Sequence, residues 1–371
     1  MPNWRLLAQS IADGEAVLLL GPDAIPFYRA GQGHELQGAS ETSFSYLSRE
    51  RVVSQLNGRI NHFYRRDNLF QFVDPPAKNE ALKCVRDTAR DGEWLPDTEL
   101  LRQIVAMPFH LVLSLNPDKH LFSAYANYWQ EPQFDYFTTK DKKHAPKLEY
   151  PTADNPLIFN LCGSVLDNRD SVILDYHDLF QLIKNLLMDN GISDLITRKL
   201  QETDRYILLG FDLERWYFQL LLYYLSRLPD TPFDNRNESF PILSKASRAT
   251  QGFVMKQFNI EHIATTRDNF EELYKACAEI KILRELRKPD SPIESQIRAL
   301  TIQGNFQAAF DLLDQHAPET AQHLDMPHLR GRYVSLLKDY NAKRIGHEQY
   351  DVERNRIRYT LLTFASQFSK P

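Results

Sequence analysis

Apolar residues fall along this chain in two rhythms. Unbroken runs at residues 16–21, 109–115, 157–162, 206–210 and 260–264 read as strands buried on both faces, as in a parallel sheet. Between and before them, helical spacing recurs at 4–12, 79–90, 118–130, 178–188 and 213–227. Strands alternating with helices predict an α/β fold with a mostly parallel sheet flanked by helices. The 213–227 segment is apolar almost all round, so it should be buried in its own domain or against a second subunit. Trp216 and Tyr217 on it read as core or interface aromatics, with stacking on an adenine as the alternative.

Residues 131–156 interrupt the alternation with a polar, proline-bearing excursion whose tip, 140–143, is rich in charge; it reads as a strand and loop rather than a domain boundary. A helix expected over 268–287 is stopped by Pro289 and Pro292. Beyond them the pattern is wholly helical, over 293–303, 306–315, 324–340 and 350–368, and Gly304-Asn305 marks a helical hairpin. The chain therefore divides into an α/β domain at 1–288 and a small all-α domain at 289–371. In the last helix Val352, Ile357, Tyr359, Leu361, Leu362 and Phe364 favour one stripe among charged neighbours, the form of an amphipathic docking helix.

The predicted strands end in small and polar residues: Gly21-Pro22-Asp23, Ser114-Leu115-Asn116-Pro117-Asp118, Cys162-Gly163-Ser164 and Gly210-Phe211-Asp212. In a doubly wound, Rossmann-like sheet these ends would line the carboxyl edge, where nucleotides bind. A glycine there lets backbone approach a phosphate, and a helix N-terminus supplies donors. Each motif has a plainer reading. Gly21 can be an ordinary strand-to-helix turn, and Asn116-Pro117-Asp118 is good N-cap chemistry for the next helix. Their order and spacing are more specific than any one of them.

Together they resemble the sirtuin-like family of bacterial anti-phage and conflict systems, over roughly residues 1–274. The resemblance implies NAD as ligand or substrate and, in active members, hydrolysis to nicotinamide and ADP-ribose. Asn116 would then hold the nicotinamide ribose or position water, and Asp118 would contact the carboxamide. Gly21, Pro22, Asp23, Gly163, Ser164, Gly210, Phe211 and Asp212 would border the rest of the cofactor. The family's catalytic histidine falls at Cys162, a poor general base when buried. Pro22 removes a donor and Asp23 would repel a diphosphate. His120 and His177 are the histidines near enough in sequence to substitute. A non-enzymatic nucleotide sensor or scaffold is the competing reading.

Residues 293–368 resemble the effector-associated domains of the same systems, on Leu329-Arg330-Gly331-Arg332-Tyr333, Gly346-His347-Glu348-Gln349-Tyr350 and the run from Glu353 to Leu362. That implies self-association and pairing with partner proteins that carry a matching domain. A plain helical cap, with Arg354, Arg356 and Arg358 merely solvated, is the alternative.

Charge narrows the partners. A net charge of -5 gives no electrostatic footprint for nucleic acid. Cys84, Cys162 and Cys277 are too few for a four-thiolate zinc site, so neither metal nor deacetylation is expected. The odd cysteine count, a first segment without a signal-peptide core and the shortness of the apolar run at 216–225 predict a cytoplasmic protein that does not enter membranes.

Overall fold

The computed structural model describes residues 3–29, 42–90, 93–138, 147–187, 192–225, 237–240, 247–258, 260–262, 267–287, 296–298, 300–301, 304–316 and 326–365. In chain order the elements begin with α1 (Trp4–Ala12), β1 (Ala16–Leu20), β2 (Pro26–Arg29), β3 (Thr42–Ser43), α2 (Phe44–Gln55), β4 (Ile60–Tyr64) and β5 (Leu69–Phe72). Next come α3 (Pro75–Arg90), β6 (Trp94–Pro96), α4 (Thr98–Ala106), β7 (Leu111–Ser114), α5 (His120–Tyr128), β8 (Gln133–Tyr136) and β9 (Leu157–Asn160). They continue with α6 (Tyr176–Leu187), α7 (Asp194–Gln201), β10 (Arg205–Leu209), α8 (Trp216–Leu225), β11 (Asn237–Phe240), α9 (Arg248–Phe258), β12 (Ile260–His262) and α10 (Arg267–Glu279). The last three helices are α11 (Phe306–His316), α12 (Met326–Asn341) and α13 (His347–Ala365). By internal contact the chain forms two compact units, Met1–Phe122 with Pro132–Glu285, and Ser123–Glu131 with Leu286–Pro371.

The first unit is α/β, built on a seven-stranded sheet in the order β12-β11-β10-β1-β7-β9-β8. Every neighbouring pair in it is parallel. Every residue of β1, β7 and β9 is buried, because helices cover both faces and leave no solvent side for a polar alternation. Leu18 of β1 sits in register between Ile207 of β10 and Val112 of β7. One core cluster gathers Val17, Leu19, Leu113, Phe159 and Leu208 with Ile196, Leu221 and Phe258 from the helices. β2, β3 and β6 form a small antiparallel sheet, and β4 and β5 a hairpin.

One expectation is met and another needs adjusting. Residues 131–156 hold a strand, β8, which extends the sheet beyond β9; the charged tip at 140–143 lies outside the described residues. The helix expected to run to residue 287 ends at Glu279. Lys281 takes a left-handed φ of 61°, and the Ile282 N–H reaches back to the Cys277 carbonyl at 3.1 Å, closing the helix well before the prolines. Beyond that turn Arg284 fixes the chain: its guanidinium donates to the carbonyls of Val105, Met107, Phe109 and Ala153 at 2.6–3.2 Å.

Helix α8 is less buried than its apolar composition predicts. Phe218, Leu221, Leu222 and Leu225 face the core, whereas Trp216 and Tyr223 are about 40% exposed. Trp216 lies 6.4 Å from the ring of Phe180, itself exposed.

The second unit is helical where described. Its core joins Phe306, Phe310 and Leu313 of α11 to Leu329 and Leu336 of α12 and to Ile357 and Leu361 of α13. The amphipathic stripe of the last helix, as far as Ile357 and Leu361 carry it, is thus used inside its own domain. Its arginines are engaged as well: Arg356 pairs with Glu353, Arg358 with Glu131 at 3.1 Å, and Arg354 sits over the Phe306 ring. No helix among the described residues is long and apolar enough to cross a membrane.

Candidate functional site

The connection from β1 leads to β7 on one side, and the chain later returns to place β10 on the other. Their carboxyl ends thus form a topological switch point, the usual place for a ligand on such a sheet. Here the two glycines meet each other. The Gly21 N–H donates to the Leu209 carbonyl at 2.8 Å, and the Asp23 N–H to the Gly210 carbonyl at 3.2 Å. A Cβ on Gly210 would lie 2.1 Å from the Ala24 nitrogen, and its φ of 70° disfavours any side chain. Both N–H donors of Gly21-Pro22-Asp23 are therefore engaged by backbone, and the glycines serve close packing.

Beside this contact, past the ends of β1, β7 and β9, lies a cavity of about 130 Å³. Pro22, Asn116 and Cys162 contribute to its wall, which is otherwise mostly leucine, isoleucine, valine and aromatic. The Asn116 amide reaches the Gly21 carbonyl at 3.5 Å, and the Asn116 N–H is held by the Ser114 hydroxyl at 3.1 Å. The loop after β9 is laid over the loop after β7 by two backbone bonds, Leu161 N–H to Ser114 and Val165 N–H to Pro117. That is what brings Cys162 and Asn116 to the same cavity.

Other expected residues are occupied elsewhere. Asp118 accepts the His120 N–H at 2.9 Å, a two-residue turn that leads into α5. Asp23 accepts the Ser43 hydroxyl at 2.7 Å. Gly163, with φ of 86°, packs against Ser171, and Ser164 donates to Asp167 at 2.5 Å. Phe211 is buried against Phe218. Asp212 holds the Arg215 guanidinium at 3.1 Å, and through it bears on the cavity, since Arg215 is in the wall. His177 is exposed on α6, and His120 is buried between Phe27 and Phe44; neither lines the cavity. Of the two aromatics on α8, Tyr217 lines it and Trp216 does not.

The wall also holds residues that the strand-end motifs do not include. Helix α2 supplies Ser45, Ser48 and Arg49, and the β4–β5 hairpin supplies Asp67 and Asn68 at its turn. A polar run, Arg65 to Asn68, between two apolar-aromatic stretches is a hairpin signal, and Asn68 takes the left-handed φ of 57° that such turns demand. That signal locates a turn; it does not say that the turn folds over the sheet edge.

Protons in this cavity are tightly held. Burial pushes the Cys162 thiol up to about 12. Burial also raises Tyr217, to about 12, against the opposing pull of Arg215; its hydroxyl donates to the Asp67 carbonyl at 2.8 Å and accepts from Arg215 at 3.1 Å. Burial alone would lower Arg215, but Tyr217, Asp212 and Asp23 outweigh it and leave it raised. At neutral pH neither Cys162 nor Tyr217 can accept a proton, and Asp67 is the carboxylate in the wall.

The fold and this cavity define a doubly wound α/β unit with a small cavity at the carboxyl edge of its sheet. At the other end of the chain, residues 292–369 match the family model of effector-associated domain 11. The C-terminal segment is therefore an effector-associated domain, which indicates an effector-type conflict system and is consistent with a defence role. Such a domain also suggests association with partner domains. No curated protein matches the chain.

Proposed function

We propose that this protein is a conflict-system effector whose sirtuin-like α/β unit binds NAD as a signal and whose C-terminal domain assembles it with copies of itself or with partners bearing a matching domain. The observation that carries the reading is the cavity beside the switch point, with Asn116 and Cys162 both in its wall. A cavity of roughly 150 Å³ lined by apolar side chains holds one benzene ring. A volume of about 130 Å³ therefore suits the nicotinamide end of the dinucleotide, with the remainder outside the cavity. Sensing is favoured over turnover because Cys162, in the place of the family's histidine, keeps its proton.

Hydrolysis is the second reading, and Asp67 favours it as the acidic side chain in the wall. Calorimetry with NAD and an assay of nicotinamide release, on the full chain with Asn116→Ala and Asp67→Asn beside it, separate the two. Saturable binding weakened by Asn116→Ala, without release, supports the sensor. Release abolished by Asp67→Asn supports the enzyme. Absence of NAD binding removes both.

A further inference from the structure

Three buried side-chain oxygens in the first unit have no hydrogen-bond partner although their residues line the same cavity: Ser48 Oγ, Asp67 Oδ1 and Asn68 Oδ1. Unpaired buried polar atoms are rare in folded proteins, because each gives up its water without compensation. Three in the wall of one apolar cavity are a pattern.

Their neighbours fix what each can still do. The other oxygen of Asp67 accepts the Tyr176 hydroxyl. The Asn68 amide nitrogen donates to the Ser45 hydroxyl at 2.8 Å, which orients its carbonyl oxygen as the free end. Ser48 is 7% exposed and sits on α2, beside the hairpin turn that carries the other two in the cavity wall. Two of the three atoms are obligate acceptors, and a hydroxyl can act either way. These three atoms thus offer acceptors, and the ligand group that meets them must bring donors.

We infer that Ser48, Asp67 and Asn68 form the polar recognition group of this cavity, and that its ligand is a single planar ring bearing a carboxamide or an exocyclic amine. The NH₂ of such a group has two donors for Asp67 and Asn68, and the apolar wall packs on the ring faces. A ring carboxylate does not suit these three oxygens, since it brings charge and no donor to two acceptors, and the guanidiniums of the wall are turned to other partners, Arg215 to Asp212 and Tyr217 and Arg49 to Glu50. The inference rests on the cavity being the ligand site of the proposed function, but not on the ligand being NAD. Carboxamide and amine rings have different sources, a nicotinamide moiety or an aminopyrimidine base, and the test separates them.

The full chain is titrated with nicotinamide and with nicotinate, then with cytosine and with pyrimidin-2-one, which lacks the amine; NAD is titrated in parallel. Expected is binding of at least one amino-bearing member, with its partner at least tenfold weaker; which pair discriminates names the source. Ser48→Ala should weaken that binding at least fivefold while the ligand-free protein melts no lower than wild type, because the variant deletes an unpaired hydroxyl. Asp67→Asn keeps an acceptor for Tyr176 and turns a donor into the cavity, so it should reverse the preference between nicotinamide and nicotinate. The inference is overturned if no amino-bearing ring binds at millimolar concentration, or if both members of each pair bind equally. It is also overturned if the two substitutions leave the affinities unchanged. NAD binding that persists through such a result keeps the proposed function alone. Discrimination between the rings without NAD binding keeps this site alone.

Discussion

Replacing Gly210 by alanine tests what the strand-end glycines are for. The new Cβ would stand 2.1 Å from the Ala24 nitrogen and 2.2 Å from its Cα, where contact needs well over 3 Å. These are backbone atoms and cannot swing aside, so the ends of β1 and β10 must part by about an ångström. Parting loses the Asp23-to-Gly210 and Gly21-to-Leu209 hydrogen bonds, each worth about 1 kcal/mol. Holding alanine at a φ of 70° adds about 1–2 kcal/mol. The sum, with some relaxation, is a loss of about 3–4 kcal/mol in urea unfolding. Gly252→Ala on α9 is the control: its Cβ would meet nothing within 4 Å, and alanine suits a helix, so stability should hold or rise slightly. If Gly210→Ala unfolds within 1 kcal/mol of wild type yet abolishes NAD binding, the glycine serves an open phosphate turn and the packing account is wrong.

Further outcomes follow from the same framework. Burial, helped by Lys199 and Arg284 and opposed by Asp154, lowers His110 to about 4. Unfolded His110 takes up a proton near pH 6.5 and the folded form does not, so stability should fall as pH drops from about 6.5 towards 4, by roughly 2 kcal/mol once partial exposure is allowed for. His110→Gln should remove most of that slope in urea midpoints measured at pH 4.5, 5.5 and 7, and an unchanged slope contradicts the assignment. Arg284→Ala strips donors from four carbonyls and should cost about 3–5 kcal/mol, with Arg284→Lys recovering less than half, because lysine lacks the planar fork. Full stability in Arg284→Ala would show those carbonyls to be satisfied by water. With its thiol held near 12, Cys162 should react with iodoacetamide at pH 8 about a thousandfold more slowly than a free thiol, followed by peptide mass spectrometry. Alkylation at the rate of a free cysteine would place a thiolate there.

The parallel sheet was legible because its central strands are continuous apolar runs between helical patterns, and β1, β7, β9 and β10 needed no other signal. β11 was not, since Asn237-Glu238-Ser239-Phe240 carries no run to read, and its pairing with β10 is a tertiary effect. The helix overrun after α10 has a similar origin: Lys281 is an unremarkable residue for a helix end, and its left-handed turn accompanies the docking of Arg284. At the site, Asn116 and Cys162 were readable from their place after strands, because a parallel sheet delivers its strand ends to one edge. Ser48, Asp67 and Asn68 were not, because only the fold brings a helix and a hairpin turn from distant parts of the chain to that edge. Asp118 shows the reverse case, a residue whose local turn chemistry already accounted for it.

A crystal of the full chain soaked with NAD would examine the account most directly. It predicts ordered density for the nicotinamide ring between Asn116 and the Asp67-Asn68 turn, with the carboxamide nitrogen within hydrogen-bond distance of both free oxygens. A filled site elsewhere, with that cavity still empty of ligand, would contradict it.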